Sequence, residues 1–358
     1  MRRHEFLHEL HQVYRPRTYL EIGVNDGRSL RLSRAATIAV DPAFKVVQEL
    51  NCNLQLVRAT SDDFFAREDP MAHFRGCPVD MAFIDGMHLF EYVLRDFINT
   101  ERYADWSSVI VFDDQLPRNV DEAARDRHTG AWTGDVYKII PVLQRYRPDL
   151  QLAVMNTRPT GVMVVFGADP SNTVLEDHYD EIMDTFLLKD PQQVPEQLLT
   201  RTCAMEPEVL LSAPFWSNLV AARDAGQAGG GGAASYGREQ LRADVARLLA
   251  DTPRPTLVDW VPDPRAGRDT EYDSSVAVGE QRMLALARQR AAAARQTRAG
   301  VPSGTAACDV RGGRGGASRP SHADEASGGD SQTLRKLVRR APFLRKIPGA
   351  PGLVRRLR

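Results

Sequence analysis

The first half of the sequence predicts an α/β fold with a doubly wound, mostly parallel sheet that ends in an antiparallel hairpin. Short apolar runs alternate with helical patterns from residue 18 to residue 115. This alternation predicts parallel strands joined by crossover helices, with helices on both faces of the sheet. Two further apolar runs, at 150–156 and 161–166, flank Arg158-Pro159-Thr160 and predict the hairpin. A helical and partly disordered C-terminal region follows.

The individual elements follow from the apolar patterns. Strands are predicted at 19–22, 37–40, 54–58, 80–84 and 108–112. Helices are predicted at 3–14, at 28–36 directly after a glycine turn, at 89–103 and at 136–146, with apolar residues three and four apart at 89–103. Residues 116–134 form a polar loop, and loops of this length inside a compact domain are usually functional.

Composition shifts divide the chain into six segments. The α/β domain is predicted at 1–190, a helical extension at 191–224 and a Gly-rich linker at 225–235. A helical region at 236–298, a disordered Gly/Ser/Arg-rich segment at 299–332 and a basic amphipathic tail at 333–358 complete the prediction.

The charge is distributed unevenly along the chain. The net charge is −1, yet residues 334–358 contain nine Lys or Arg residues and no acid, so the remainder is acidic. An acidic body argues against nucleic acid as its partner. The tail at 333–358 predicts contact with an anionic membrane surface, and the equally supported alternative is a solvated tail or a helix that docks on a protein partner.

The four cysteines are far apart and contain no C-x-x-C pair, which predicts neither a disulfide framework nor a zinc site. No apolar run reaches the roughly 18 residues needed to cross a membrane. The expected location is the cytoplasm, with peripheral membrane contact through the tail as an option.

A glycine turn follows the first predicted strand. Glu21 lies within the strand, and the turn contains Gly23, Asn25 and Gly27. Strand, glycine turn and helix form a Rossmann-like first crossover, but the spacing G-x-x-x-G lacks the middle glycine that admits a pyrophosphate. The pattern E-x-G-x-x-x-G resembles the first motif of class I S-adenosylmethionine (SAM)-dependent methyltransferases. A tight turn that needs glycine for a positive φ is the alternative.

Two later strand ends add further candidates for binding SAM. Asp41, at the end of the second strand, is placed to accept hydrogen bonds from ribose hydroxyls, although Asp-Pro turns are also common. Ser61 and Asp62 follow the third strand and either cap the next helix or reach the adenine edge.

The fourth and fifth strands end in F-I-D-G-M-H at 83–88 and V-F-D-D at 111–114. These motifs resemble the branch of the methyltransferase family that contains macrocin-type sugar O-methyltransferases. The resemblance covers about residues 15–190 and is supported by IAVDP at 38–42, TSDDFF at 60–65 and GDVYKIIP at 134–141. The sequence departs from the family at two places. Relatives often have Gly-Gly where this chain has Asp105-Trp106-Ser107-Ser108, and they often have a polar residue where this chain has Met87.

The resemblance implies a reaction and a set of roles. A methyl group passes from SAM to a hydroxyl of a sugar, glycolipid or secondary metabolite. Asp85, Asp113 and Asp114 are the candidate ligands of Mg²⁺, and Asp85 also belongs to the cofactor set. His88 is the candidate general base. The alternatives are a His88 that only bonds a nearby carboxylate, and aspartates that only cap loops.

Two other classes of function compete with methyl transfer. A nicotinamide-dependent oxidoreductase would use the same crossover, but the missing middle glycine argues against it. A non-catalytic SAM-binding or interaction protein would keep the fold and act through its C-terminal half.

Overall fold

The computed structural model describes residues 1–225, 236–251 and 255–263. Its centre is a single seven-stranded sheet in the order β3-β2-β1-β4-β5-β7-β6. The strands are β1 Thr18–Ile22, β2 Ala36–Val40, β3 Asn53–Val57, β4 Met81–Ile84, β5 Val109–Phe112, β6 Gln151–Met155 and β7 Val162–Phe166. β1 to β5 pair in parallel, whereas β7 is antiparallel to both β5 and β6. The predicted fold class and its terminal hairpin are confirmed.

The described residues contain ten α-helices and three short 3-10 turns. The helices are α1 Arg3–Tyr14, α2 Ser61–Phe65, α3 Phe90–Glu101, α4 Ile139–Tyr146, α5 Val174–Asp177, α6 Tyr179–Phe186, α7 Glu196–Leu199, α8 Pro207–Leu211, α9 Phe215–Ala225 and α10 Arg238–Ala250. The 3-10 turns are Leu30–Leu32, Ala72–Phe74 and Val136–Lys138.

The sheet separates two apolar cores because successive strand residues point to opposite faces. On β4, Ala82 and Ile84 belong to the core that α3 and α4 cover, whereas Met81 and Phe83 belong to the core beneath α1. All four side chains are buried. A strand buried on both faces reads as a continuous apolar run, which is why the sequence shows these strands so clearly.

The second core also receives helices from beyond residue 200. Trp216 of α9 packs against Tyr14 and Phe166, with ring centroids 5.9 and 5.7 Å apart. Leu241 and Val245 of α10 are buried in the same core. Helices α8 to α10 therefore cover the face of the sheet on which α1 lies, whereas α5 to α7 pack in the core on the opposite face.

The helix predicted at 28–36 is wrong. Only Leu30–Leu32 is helical, as a single 3-10 turn. β2 begins at Ala36, so the eight residues after Gly27 must both leave the turn and return to the sheet. The helix predicted at 136–146 is present, although its first turn is of the 3-10 type.

Several predictions concern residues outside the described ranges. Residues 226–235 of the Gly-rich linker predicted at 225–235, the disordered segment at 299–332 and the basic tail at 333–358 lie outside the described residues. Among the described residues, no helix is long and apolar enough to cross a membrane. Of the cysteines that the structure describes, Cys52 and Cys203 form no disulfide bond.

Candidate active site

The strand order reverses at β1, which lies between β2 and β4. Chain connections leave the sheet in opposite directions at such a point, and the crevice at the carboxyl ends of these strands is where doubly wound sheets bind ligands. The glycine turn after β1 and the D-G-M-H turn after β4 both lie at this edge, because Asp85 N donates to Ile22 O at 2.8 Å.

Gly23 makes the close approach between these two turns possible. Its φ is +90°, and a Cβ at this position would lie 1.9 Å from the carbonyl oxygen of Asp85. Its N–H also donates to Val40 O at 2.9 Å, which ties the turn to the end of β2. Only glycine satisfies both the backbone conformation and the space.

Glu21 lies beneath the glycine turn rather than at its open side. The side chain is fully buried, and its two oxygens accept hydrogen bonds from Tyr19 Oη at 2.7 Å and Ser29 Oγ at 2.8 Å. Burial raises the pKa of Glu21 to about 8, although the two hydroxyls oppose this rise. Glu21 thus connects β1 to the residues after the glycine turn through hydrogen bonds with two uncharged hydroxyl groups.

The carboxylate of Asp41 holds the glycine turn from the side of β2. Its Oδ2 accepts from the backbone N–H groups of Val24 and Asn25 at 2.9 and 2.8 Å, and its Oδ1 accepts from Ala43 N at 2.6 Å. Asn25, with φ 47°, adopts the left-handed conformation within this turn. The structure therefore places Asp41 at the predicted strand end, with its oxygens on the turn backbone.

Ser61 and Asp62 are the first two residues of α2, so neither is the residue that caps this helix. Thr60 is the N-cap, and its hydroxyl accepts from Asp63 N at 3.1 Å. Both carboxylate oxygens of Asp62 accept from Arg95, at 3.1 and 2.9 Å. This bidentate ion pair links Asp62 of α2 to Arg95 of α3.

Three of the predicted side chains converge after β4 and β5. One ligand atom each from Asp85, His88 and Asp114 lies within 4.8 Å of the others. His88 Nε2 is 3.1 Å from Asp85 Oδ1, and His88 Nδ1 is 3.0 Å from Asp114 Oδ2. His88 and Asp114 both have positive φ, 60° and 59°. Such conformations cost energy for residues with a Cβ and cluster at functional sites.

The surroundings of His88 favour its protonated form. Burial alone would lower its pKa, but the hydrogen bond with Asp85 and the charge of Asp114 outweigh burial and raise the pKa to about 9. Burial raises the pKa of Asp114, and the charge of His88 opposes this. In this arrangement the imidazole carries a charge at neutral pH that partly neutralises the carboxylates.

Asp113 has a different neighbour from the other two aspartates. Its carboxylate forms an ion pair with Arg3 of α1, and Arg3 Nη1 also lies 3.3 Å from Asp85 Oδ2. The Asp113 side chain is 1% exposed; its Oδ2 contacts Arg3 Nη1, whereas its Oδ1 has no hydrogen-bond partner among the described residues. A buried carboxylate oxygen without a donor, beside the Asp85–His88–Asp114 cluster, is the kind of oxygen ligand that a divalent cation prefers, so the donor set fits a divalent metal.

The loop at 116–134 is held against this cluster. Trp132 stacks on His88, with ring centroids 5.2 Å apart and 14° between the planes, and its carbonyl oxygen lies 3.1 Å from His88 Nδ1. Gly134 has φ +61°, and a Cβ there would lie 1.6 Å from His88 O. The loop backbone thus passes directly over the D-G-M-H turn.

A buried ionic network anchors the same loop. Arg125 donates to both oxygens of Glu91 at 2.9 and 2.7 Å and to Asp135 at 2.8 Å. Lys138 Nζ donates to the same Asp135 oxygen at 2.9 Å, and Phe90 N donates to the other at 2.8 Å. Asp135 therefore connects the end of the loop to the start of α3.

Sequence reasoning missed three residues of the site: Arg3, Asp96 and Trp132. Asp96 lines the cavity between β4, β5 and α3, is 2% exposed, and has one oxygen without a hydrogen-bond partner among the described residues. Burial raises its pKa to about 7. Asp96 lies within an apolar helix pattern, and Arg3 lies 82 residues from Asp85, so no local sequence signal connects them to the site.

One segment of the chain matches the model of a known protein family. Residues 20–115 match the model of a family described as a methyltransferase domain. That segment runs from β1 past β5 and contains the glycine turn, Asp41 and the D-G-M-H turn. No match to this sequence was found among curated proteins. The chain is therefore similar to this family over residues 20–115.

Three methyltransferases are among the solved structures to which this chain is similar, all at low identity. The O-methyltransferase from Bacillus cereus in complex with SAH is 16% identical over 46% of this chain and 80% of that chain, with a TM-score of 0.35. TomG from Streptomyces achromogenes in complex with SAM is 15% identical over 46% and 79%, with a TM-score of 0.34. MycE from the mycinamycin biosynthetic pathway, in complex with Mg, SAH and mycinamycin VI, is 20% identical over 43% and 46%, with a TM-score of 0.30.

Proposed function

We propose that this protein is a SAM-dependent O-methyltransferase whose acceptor is a hydroxyl of a sugar, glycolipid or secondary metabolite. The observation that carries the proposal is the position of two features at one edge of the sheet. The glycine turn lies on one side of the point where the strand order reverses, and the Asp85–His88–Asp114 cluster lies beside it. A cofactor held by the turn would present its reactive end to the cluster.

The chain supplies binding and orientation in this reaction. Methyl transfer forms a bond between the acceptor oxygen and the methyl carbon, while the sulfonium sulfur keeps the electron pair of the bond that breaks. The enzyme must hold the three atoms in line and receive the hydroxyl proton. The turn from Gly23 to Gly27 would hold the cofactor, with Asp41 fixing the turn.

His88 is the residue proposed to receive the proton, at Nε2. The pKa of about 9 means that the imidazole must first lose its proton before it can act as a base near neutral pH. A cation bound to Asp85 and Asp114 would lower the pKa of His88 and favour the neutral imidazole, because two neighbouring positive charges repel each other.

Asp85 and Asp114, with Asp113 beside them, are the residues proposed to hold a divalent cation such as Mg²⁺. Their oxygens are the ligand type that Mg²⁺ prefers. When bound, the cation would lower the pKa of the acceptor hydroxyl and orient it. Asp113 could join this set only by leaving its ion pair with Arg3.

The mouth of the site is partly apolar, which suits an acceptor that is not purely polar. Met87, adjacent to His88, is 47% exposed, and Trp132 covers one face of the imidazole. A small-molecule acceptor fits these surroundings, and no nucleic acid is proposed. Cytoplasmic location and a membrane or protein contact through residues 333–358 also remain proposals.

The test uses the full chain. Calorimetry should detect binding of SAM and not of NAD, and conversion of SAM to S-adenosylhomocysteine should require an acceptor from a pool of hydroxylated metabolites. EDTA should stop turnover, and Mg²⁺ should restore it. Binding of SAM without turnover on any acceptor would favour the non-catalytic alternative, and binding of NAD instead of SAM would favour the oxidoreductase.

A further inference from the structure

Arg3 places a positive charge inside the acidic cluster. Its Nη1 contacts Asp113 Oδ2 and lies 3.3 Å from Asp85 Oδ2, so one guanidinium nitrogen connects the ends of β4 and β5. The Arg3 side chain is 24% exposed and the Asp113 side chain 1%. A cation in this position neutralises carboxylates that would otherwise repel one another.

The backbone of Arg3 is anchored independently of this ion pair. Arg3 N donates to Arg158 O at 2.9 Å, and Arg158 N donates to Met1 O at 3.0 Å. Phe6 and Leu10 bury the next turns of α1 in the core beneath the sheet. The side chain can therefore leave the carboxylates without unfolding α1.

The guanidinium is poorly satisfied where it lies. Nη1 makes both carboxylate contacts, whereas Nε is buried without a hydrogen-bond partner among the described residues. Arginine normally binds carboxylates through two parallel N–H groups, as Arg95 binds Asp62. A buried N–H without an acceptor is unfavourable, so this contact is weaker than the charges alone suggest.

We propose that Arg3 is a built-in competitor for the divalent cation: its guanidinium neutralises Asp85 and Asp113 in the absence of metal and must withdraw when a metal binds. This inference rests on the metal-assisted function proposed above. The contact of Arg3 with two of the predicted ligands carries it. Arg3 thereby sets how tightly the cluster holds a cation, and the N-terminal helix becomes part of the metal site.

Manganese binding to the full chain tests the proposal directly. Mn²⁺ alone, without SAM or acceptor, is titrated and followed by electron paramagnetic resonance, with thermal melting to verify folding. Arg3→Gln should bind Mn²⁺ at least about tenfold more tightly than the wild type, because a charged hydrogen bond no longer competes. Arg3→Lys should stay closer to the wild type, since it retains the charge.

Arg31→Gln is the matched control, because Arg31 is an exposed arginine whose hydrogen-bond partner is Gln48 and not the cluster. Its Mn²⁺ affinity should equal that of the wild type. Equal or weaker Mn²⁺ binding by folded Arg3→Gln would overturn the proposal, as would a cluster that binds no Mn²⁺ in either form. Loss of SAM binding or turnover with the Mn²⁺ pattern intact would instead count against the proposed methyl transfer.

Discussion

The Nε2 atom of His88 lies 3.1 Å from Oδ1 of Asp85, the carboxylate that also contacts Arg3. The imidazole is thus held by one of the carboxylates that a metal would use. Its other nitrogen faces Asp114, so the state of His88 depends on the charge of the whole cluster. The proposed proton acceptor and the proposed cation site therefore form one electrostatic unit.

His88→Gln should lower the rate of methyl transfer by about 10²–10⁴-fold, the usual contribution of a general base. The remaining activity should rise with pH, because the acceptor hydroxyl must then ionise without help. The rate of SAM consumption measured from pH 6 to pH 10 checks this. His178→Gln, which removes an exposed histidine bonded to Glu181, should match the wild type. A full rate in folded His88→Gln would remove His88 from the chemistry.

Gly23→Ala should strongly destabilise the fold, by about 3 kcal/mol or more, because its Cβ would overlap the carbonyl oxygen of Asp85. Gly76→Ala is the control, since Gly76 also has a positive φ, +84°, but no atom lies within 4 Å of its Cβ position. Gly76→Ala should lower the free energy of unfolding by only about 1–2 kcal/mol, the cost of the strained backbone conformation. Urea unfolding compares the two. Equal losses would mean that the two turns do not approach each other as described.

Glu21→Gln should change how stability depends on pH. The pKa of Glu21 is raised from 4.5 to about 8 in the folded protein, so the folded state retains a proton that the unfolded state releases. The stability from this carboxyl is fully present below about pH 4.5 and is lost as the pH rises through about 8. The variant remains neutral throughout.

The free energy of unfolding of Glu21→Gln, relative to the wild type, should therefore increase between pH 5 and pH 8.5. Denaturant unfolding at a series of pH values measures this difference, and other titrating groups cancel in the comparison. Parallel curves for the two proteins would show that Glu21 does not titrate in this range.

Asp41→Ala should weaken SAM binding by about tenfold or more, since losing a charged hydrogen bond typically costs about 1.5–3 kcal/mol. The structure suggests that part of the loss comes from the turn, because Asp41 holds the amides of Val24 and Asn25. Asp41→Asn keeps one acceptor oxygen and should lose less. Calorimetry measures both, with exposed Asp63 changed to Ala as the control. Unchanged affinity in folded Asp41→Ala would remove Asp41 from the cofactor site.

The architecture and the positions of the strand ends could be predicted from the pattern of apolar and polar residues. Runs such as Met81–Ile84 are apolar because both faces of the sheet are buried, and the polar residues that follow them mark where each strand ends. Parallel strands bring those ends to one edge, so Asp41, Asp85 and Asp114 could be assigned to one region from spacing alone.

The contacts of each polar group, by contrast, could be read only from the folded arrangement of the chain. Asp113 and Asp114 are adjacent in sequence, yet one pairs with Arg3 of α1 and the other with His88 of the turn after β4. Glu21 lies under the turn, and Asp62 is engaged by Arg95. Such partners come from elements distant in sequence, and a one-dimensional pattern carries no record of distance between them. Burial then sets the pKa values, because the surrounding protein replaces water around each group.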